Sequence, residues 1–213
     1  LVSSKLDAIH TEYSALLTSQ LDSQRRYFEG LMAANTAERD GALSAAEAAE
    51  SRAKVIAGAP VGTIYCAGDG SASPCPCGNT GAPEQGCANG TGQGAQITSE
   101  GTNSLSADDF RLTDSNMIPN QPGLYFQGNN AVNSGLGNPF GDGLRCAGGG
   151  VKRLEVVFTC GCGAASSTVS IAQEGGLVAG DLKRMQWWYR DPNGSPCGNG
   201  FNLSNGVEVT WTL

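Results

Sequence analysis

Eight cysteines are the residues best placed to do chemistry in this chain. Cys66, Cys75, Cys77 and Cys87 crowd into one Gly- and Pro-rich stretch, Cys146 and Cys197 stand apart, and Cys160 and Cys162 flank a single Gly. Structural zinc is held by pairs about two to four residues apart, and the Cys75-x-Cys77 step fits that poorly. An even count in a loop-rich chain points instead to disulfides, each contributing about 2–4 kcal/mol. Cys160 and Cys162 form either a tight local pair or two free thiols, with no neighbouring group that would stabilise a thiolate.

Carboxylates are the next candidates. Asp69 in "GDGS" and Asp142 in "GDGL" resemble fragments of calcium loops, but the further oxygen ligands of such a loop are missing, and Asp-Gly is also an ordinary turn pair. Asp108 and Asp109 adjoin at a strand start, so their side chains point to opposite faces and cannot act as a pair. A glycosidase dyad among the remaining acids is the whole basis for a hydrolase reading. The single histidine, His10, rules out a Ser-His-Asp triad, a Cys-His pair or a two-His zinc site in the rest of the chain. No cofactor is expected.

Trp187, Trp188 and Tyr189 form the densest aromatic patch. In a strand, Trp187 and Tyr189 share one face and Trp188 takes the other. Two large rings suit a core, so Trp188 is expected to be the exposed one, available to stack on a sugar ring or another apolar surface, with Arg190 beside it. On that reading Trp188→Ala leaves folding nearly intact, whereas Trp187→Ala costs about 3–5 kcal/mol.

The elements that position these residues divide near residue 60. All eight cysteines and nearly all of the 31 glycines lie beyond it. Residues 1–57 read as one long helix: Leu6, Ile9, Tyr13 and Leu16, then Leu17, Leu21, Gln24, Phe28 and Leu31, keep three-and-four spacing, and an Ala-rich run follows. Such a rod, about 80 Å long, needs a partner for its apolar stripe, so self-association or a partner helix through residues 6–31 is expected, as a coiled-coil strand. Gly58 and Pro60 stop the helix, with a linker over 58–62.

Residues 63–213 read as short strands between Gly-, Pro- and Asn-rich turns, including Thr63–Cys66, Ala95–Ser99, Arg153–Thr159, Thr168–Ala172, Met185–Arg190 and Val207–Thr212. That pattern predicts a mainly β fold, a disulfide-linked antiparallel β-sandwich or jelly roll preceded by the helix. A net charge of −7 argues against nucleic acid. No apolar run is long enough to span a membrane. The chain opens on Leu1 without a basic and apolar leader, which reads as a fragment or processed product.

Two resemblances add to this. Residues 1–32, through the stretch "YSALLTSQLDSQRRYFE" from Tyr13 to Glu29, are similar to the coiled coil of the impedes-mitogenic-signal-propagation RING ubiquitin ligases. Their RING and zinc-finger domains have no counterpart here, so the resemblance implies an oligomerising or scaffold role, in the cytoplasm. Residues 64–211 resemble an uncharacterised Gly- and Cys-rich domain of secreted proteins of planctomycetes and related bacteria. The motifs that carry this are "YCAGDGSASPCPCGNTGAPEQGCANG", "SLSADDFRL", "GLYFQG", "FGDGLRCAGG", "WWYRDPNGSPCG" and "FNLSNG". The chain departs from that pattern at Cys160 and Cys162. Cys146 and Cys197, each at a strand end within one of these motifs, are expected to pair, leaving two bridges within the 66–87 cluster. A ligase coil joined to a secreted bacterial-type domain suggests a gene fusion or a gene-model chimera. The expected function is a non-catalytic extracellular or cell-surface module, structural or ligand-binding, with carbohydrate as a candidate ligand. The competing expectation is an intracellular oligomerising scaffold, and a third is an extracellular hydrolase.

Overall fold

The computed structural model describes residues 2–58 and 61–213, with the helical side chains described for 4–6 and 9–42. The expected stop at Pro60 and part of the 58–62 linker lie outside the described residues, as does Leu1. The chain divides into two compact units, residues 1–56 and 57–213. Among the described residues, no helix is long and apolar enough to cross a membrane.

The first unit is the helix α1 (Val2–Gly58). Ala and straight-chain residues dominate it, and they lose little side-chain entropy in a helix. Its stripe is exposed: Leu6, Ile9, Tyr13, Leu16, Leu21 and Phe28 each keep about 60% of their surface or more.

The second unit is mainly β. Its strands are β1 (Thr63–Tyr65), β2 (Gln96–Glu100), β3 (Arg111–Ser115), β4 (Pro122–Gly128), β5 (Asn130–Ala131), β6 (Asn138–Phe140), β7 (Gly143–Arg145), β8 (Ala147–Gly148), β9 (Lys152–Phe158), β10 (Ala165–Ser166), β11 (Leu182–Arg190) and β12 (Phe201–Thr210). A five-stranded sheet runs β1-β12-β11-β4-β9 and a three-stranded sheet runs β10-β3-β2; every pairing within them is antiparallel. The expected strand over Thr168–Ala172 is instead the start of a short helix, α2 (Ile171–Gly175). Ser170 caps it by accepting a hydrogen bond from the Gln173 N–H, and the left-handed Gly176 ends it. The β-branched residues that suggested a strand flank that cap.

One core joins the two sheets. Ile97 and Leu112 come from the smaller sheet, and Tyr125, Met185, Trp187, Tyr189, Val207 and Val209 from the larger. Trp187 lies with its ring centroid 4.2 Å from that of Tyr125. Its indole also covers the Gly123 backbone so closely that a Cβ there would stand 2.0 Å from a ring carbon, which excludes any larger residue. Asn205 ties the sheets at their edge, accepting from Ile97 N–H at 2.8 Å and donating to Ile97 C=O at 3.0 Å.

Two bulges reset the alternation of side chains. On β12, Ser204 and Asn205 together oppose Trp187; on β9, Leu154 is the extra residue between Arg153 and Glu155. Both change which residues share a face, and both lie beside the candidate site.

All eight cysteines are paired: Cys66–Cys146, Cys75–Cys87, Cys77–Cys197 and Cys160–Cys162. The expected Cys146–Cys197 bridge is therefore replaced, and a single bridge, Cys75–Cys87, stays within the 66–87 cluster. The cause is the long loop after β1, which runs across the molecule and delivers Cys66 to the β7–β8 junction and Cys77 to the 191–200 loop.

A candidate ligand-binding groove

The outer face of the five-stranded sheet, opposite the core, has two halves. Over one half lies the β7–β8 segment, fixed by the fully buried Gln186. The Gln186 amide donates to Leu144 C=O and Ser204 C=O, both at 2.7 Å, and its carbonyl accepts from Cys146 N–H at 2.9 Å. A buried amide with both ends satisfied holds the loop to the sheet at little net cost. The Cys66–Cys146 bridge anchors the same loop to the end of β1.

The other half is open and forms a groove of ≈ 500 Å³. Its floor is a cross-strand row in register, Leu203–Trp188–Leu124–Val156, on β12, β11, β4 and β9. Phe126 and Pro122 extend the floor along β4, and Phe140 and Arg145 of the β6–β7 hairpin make one wall. Phe201 supports that wall, with its ring 5.3 Å from Phe140 and 5.6 Å from Trp188. The hairpin can press this close because its turn contains Gly141 at φ +61, where a Cβ would strike the Phe201 ring. Val151, Arg153 and Gly123 complete the lining, which holds no Asp, Glu, His, Ser, Thr or Cys.

Asp142, at the hairpin turn, is a keystone. It is fully buried, and its carboxylate accepts from Asn199 N–H at 3.2 Å, Asn199 Nδ2 at 2.8 Å, Cys197 N–H at 3.1 Å and the Ser195 hydroxyl. Burial disfavours its charge, but these donors outweigh that and hold its pKa below the usual carboxylate range. Both oxygens are thus filled by protein donors, as an anchor for the hairpin and not as open calcium ligands. Asp69 is similarly occupied, by Ser71 N–H at 2.9 Å, the Ser71 hydroxyl and Glu84 N–H at 3.0 Å. Among the described residues, no three His, Cys, Asp or Glu side chains gather as a metal site would require.

Trp188 sits at the centre of the groove, half-buried where full exposure was expected, because Phe201 packs on it. Trp187 and Tyr189 are fully buried on the other face. Arg190 is exposed at the end of β11 and does not line the groove. The cations that do are Arg145 and Arg153, which sequence reasoning missed. Strict alternation along β9 puts Arg153 and Val156 on opposite faces; the Leu154 bulge brings them to the same one.

No family model, curated protein or solved structure matches this chain. The reading of its function rests on the groove itself.

Elsewhere, Asp114 is buried, and burial raises its pKa well above the carboxylate range, offset in part by the nearby Tyr125 hydroxyl. Cys160 and Cys162 close a turn after β9, away from the groove lining.

Proposed function

We propose that this chain is a non-catalytic binding module of the extracellular space or cell surface, in which the β unit presents the Trp188 groove and α1 acts as a stalk. The observation that carries the reading is an aromatic-floored groove on a rigid sheet whose lining offers no acid, base or nucleophile. The shared core of the two sheets favours a β-sandwich as the underlying architecture. Four disulfides favour an oxidising compartment, in keeping with the resemblance to secreted bacterial domains. The exposed stripe from Leu6 to Leu31 favours self-association of the stalk. The same stripe is what supports the second reading, an oligomerising scaffold; recovery of the native protein with free thiols would decide for it.

The groove reading is tested with N-phenyl-1-naphthylamine, a neutral apolar dye excited by energy transfer from Trp. The full chain is expected to bind it, and Leu124→Lys to abolish binding while keeping the melting temperature. Equal binding by the variant, or none by the parent, overturns the proposal.

A further inference from the structure

Resting on the reading of the groove as a binding site, we infer that its ligand is an anionic amphiphile: an unbranched alkyl chain ending in a carboxylate. The argument starts from what the lining can and cannot satisfy. Its polar groups are few, because β4 and β11 are interior strands whose N–H and C=O groups are committed to their neighbours on both sides. A peptide laid on this floor would leave its own backbone groups unbonded, and a neutral sugar would leave its hydroxyls unbonded. An alkyl chain has no such groups to satisfy, and it gains from covering Trp188, Leu124, Val156 and Phe126.

The second observation is charge. In a chain of net charge −7, the groove carries two guanidinium groups and no carboxylate. Arg153 makes no hydrogen bond or ion pair to the described residues, and Arg145 makes one bond, to Ala147 C=O at 3.3 Å. Arg153 is in register with Phe126, and Ala147 packs in the same cluster as Phe126. The two cations therefore mark one end of the groove, and Pro122 marks the other. The four steps along β4 from Pro122 to Phe126 span about 14 Å, room for an extended chain of about a dozen carbons. A planar fork at one end of an apolar trough matches a carboxylate head on an alkyl tail.

The test is displacement of the neutral dye from the full chain by dodecanoate, dodecanol and oligogalacturonate at low ionic strength, below any micellar concentration. Dodecanoate is expected to compete about tenfold more tightly than dodecanol, with an advantage that shrinks as salt is added. Arg153→Gln, which breaks no hydrogen bond or ion pair among the described residues, should reduce that advantage, and the Arg145→Gln/Arg153→Gln double variant should remove it, so that dodecanoate and dodecanol compete equally. Equal competition by dodecanoate and dodecanol overturns the anionic ligand but leaves the groove reading intact. Stronger competition by oligogalacturonate overturns it in favour of an acidic glycan. Failure of the dye itself to bind overturns both.

Discussion

Replacing Trp187 and Trp188 one at a time by Ala separates the core from the groove. Trp187 has no solvent exposure, and its ring rests on Tyr125 and Gly123. A Trp of this kind buries about 150–250 Å², worth about 4–6 kcal/mol at about 25 cal/mol/Å². Mutational experience with buried Trp and Phe puts the loss nearer 3–5 kcal/mol, since the site relaxes. Trp188 is half-buried, with Phe201 on one side and the groove on the other, so it loses roughly half that area and about 2–3 kcal/mol. This is more than the near-zero cost expected for a free surface ring.

Urea unfolding with the disulfides intact measures both, provided the slopes agree with that of the parent. Trp187→Ala should shift the midpoint about twice as far as Trp188→Ala. Trp187→Phe provides a control, because the Trp187 Nε1 has no hydrogen-bond partner and its removal offsets part of the lost packing. Equal losses for the two Ala variants would mean that both rings are core. The division of the outer face into a covered and an open half would then be wrong.

Three further outcomes follow from the same geometry. Replacing the Cys77–Cys197 pair by Ser should cost far more than replacing Cys160–Cys162, since their sequence separations are 120 and 2. With the Cys66–Cys146 bridge shortening the effective loop to about 60 residues, chain entropy gives about 4.3 against about 1.2 kcal/mol, and comparable thermal shifts would refute this ranking. Asp142→Asn should destabilise by about 1–3 kcal/mol near neutral pH, and its advantage over the variant should vanish as pH falls through the lowered folded pKa, read by urea midpoints across pH. Asp114 has the opposite sign: its raised pKa makes its contribution greatest in acid and loses it as pH rises from the ordinary carboxylate pKa through the raised folded one, so Asp114→Asn should flatten the curve over that interval, and an unchanged slope would refute the burial argument.

Much of the architecture was legible in the sequence because local rules dominate it. The three-and-four spacing marked α1, and the turn residues bounded β2 and β9 to within one residue, while β11 starts three residues before its expected start at Met185. The site was legible only in part. Alternation along Trp187-Trp188-Tyr189 separates the faces of β11, and the structure places the rings accordingly. Arg145 and Arg153 were hidden for different reasons. Arg153 reaches the groove through a bulge that no pattern in "VKRLEVVF" announces, and Arg145 through the fold of the hairpin over the sheet. The Cys66–Cys146 and Cys77–Cys197 pairs were hidden too, because they depend on the path of a Gly-rich loop with no periodicity to read.

The groove is best understood from two residues of one strand face, Gln186 and Trp188. They stand two apart on β11 and differ in fate: Gln186 has no exposure, and Trp188 remains open to the groove. The sheet alone does not distinguish them. What does is the chain from Phe140 to Gly148, which bonds to Gln186 through Leu144 C=O and Cys146 N–H and places Phe140 in the same groove lining as Trp188. Its position is set by bonds outside the sheet: the Asp142 cage with Ser195, Cys197 and Asn199, the Cys77–Cys197 bridge behind that cage, and the Cys66–Cys146 bridge at its base. A unit so rich in Gly and poor in large apolar residues could not hold such a wall by packing alone. The cysteines therefore hold the covering loops in place, and those loops determine where the sheet stays uncovered. The open half falls where the aromatic residues Trp188, Phe126 and Phe140 coincide with two arginines that have no carboxylate partner among the described residues.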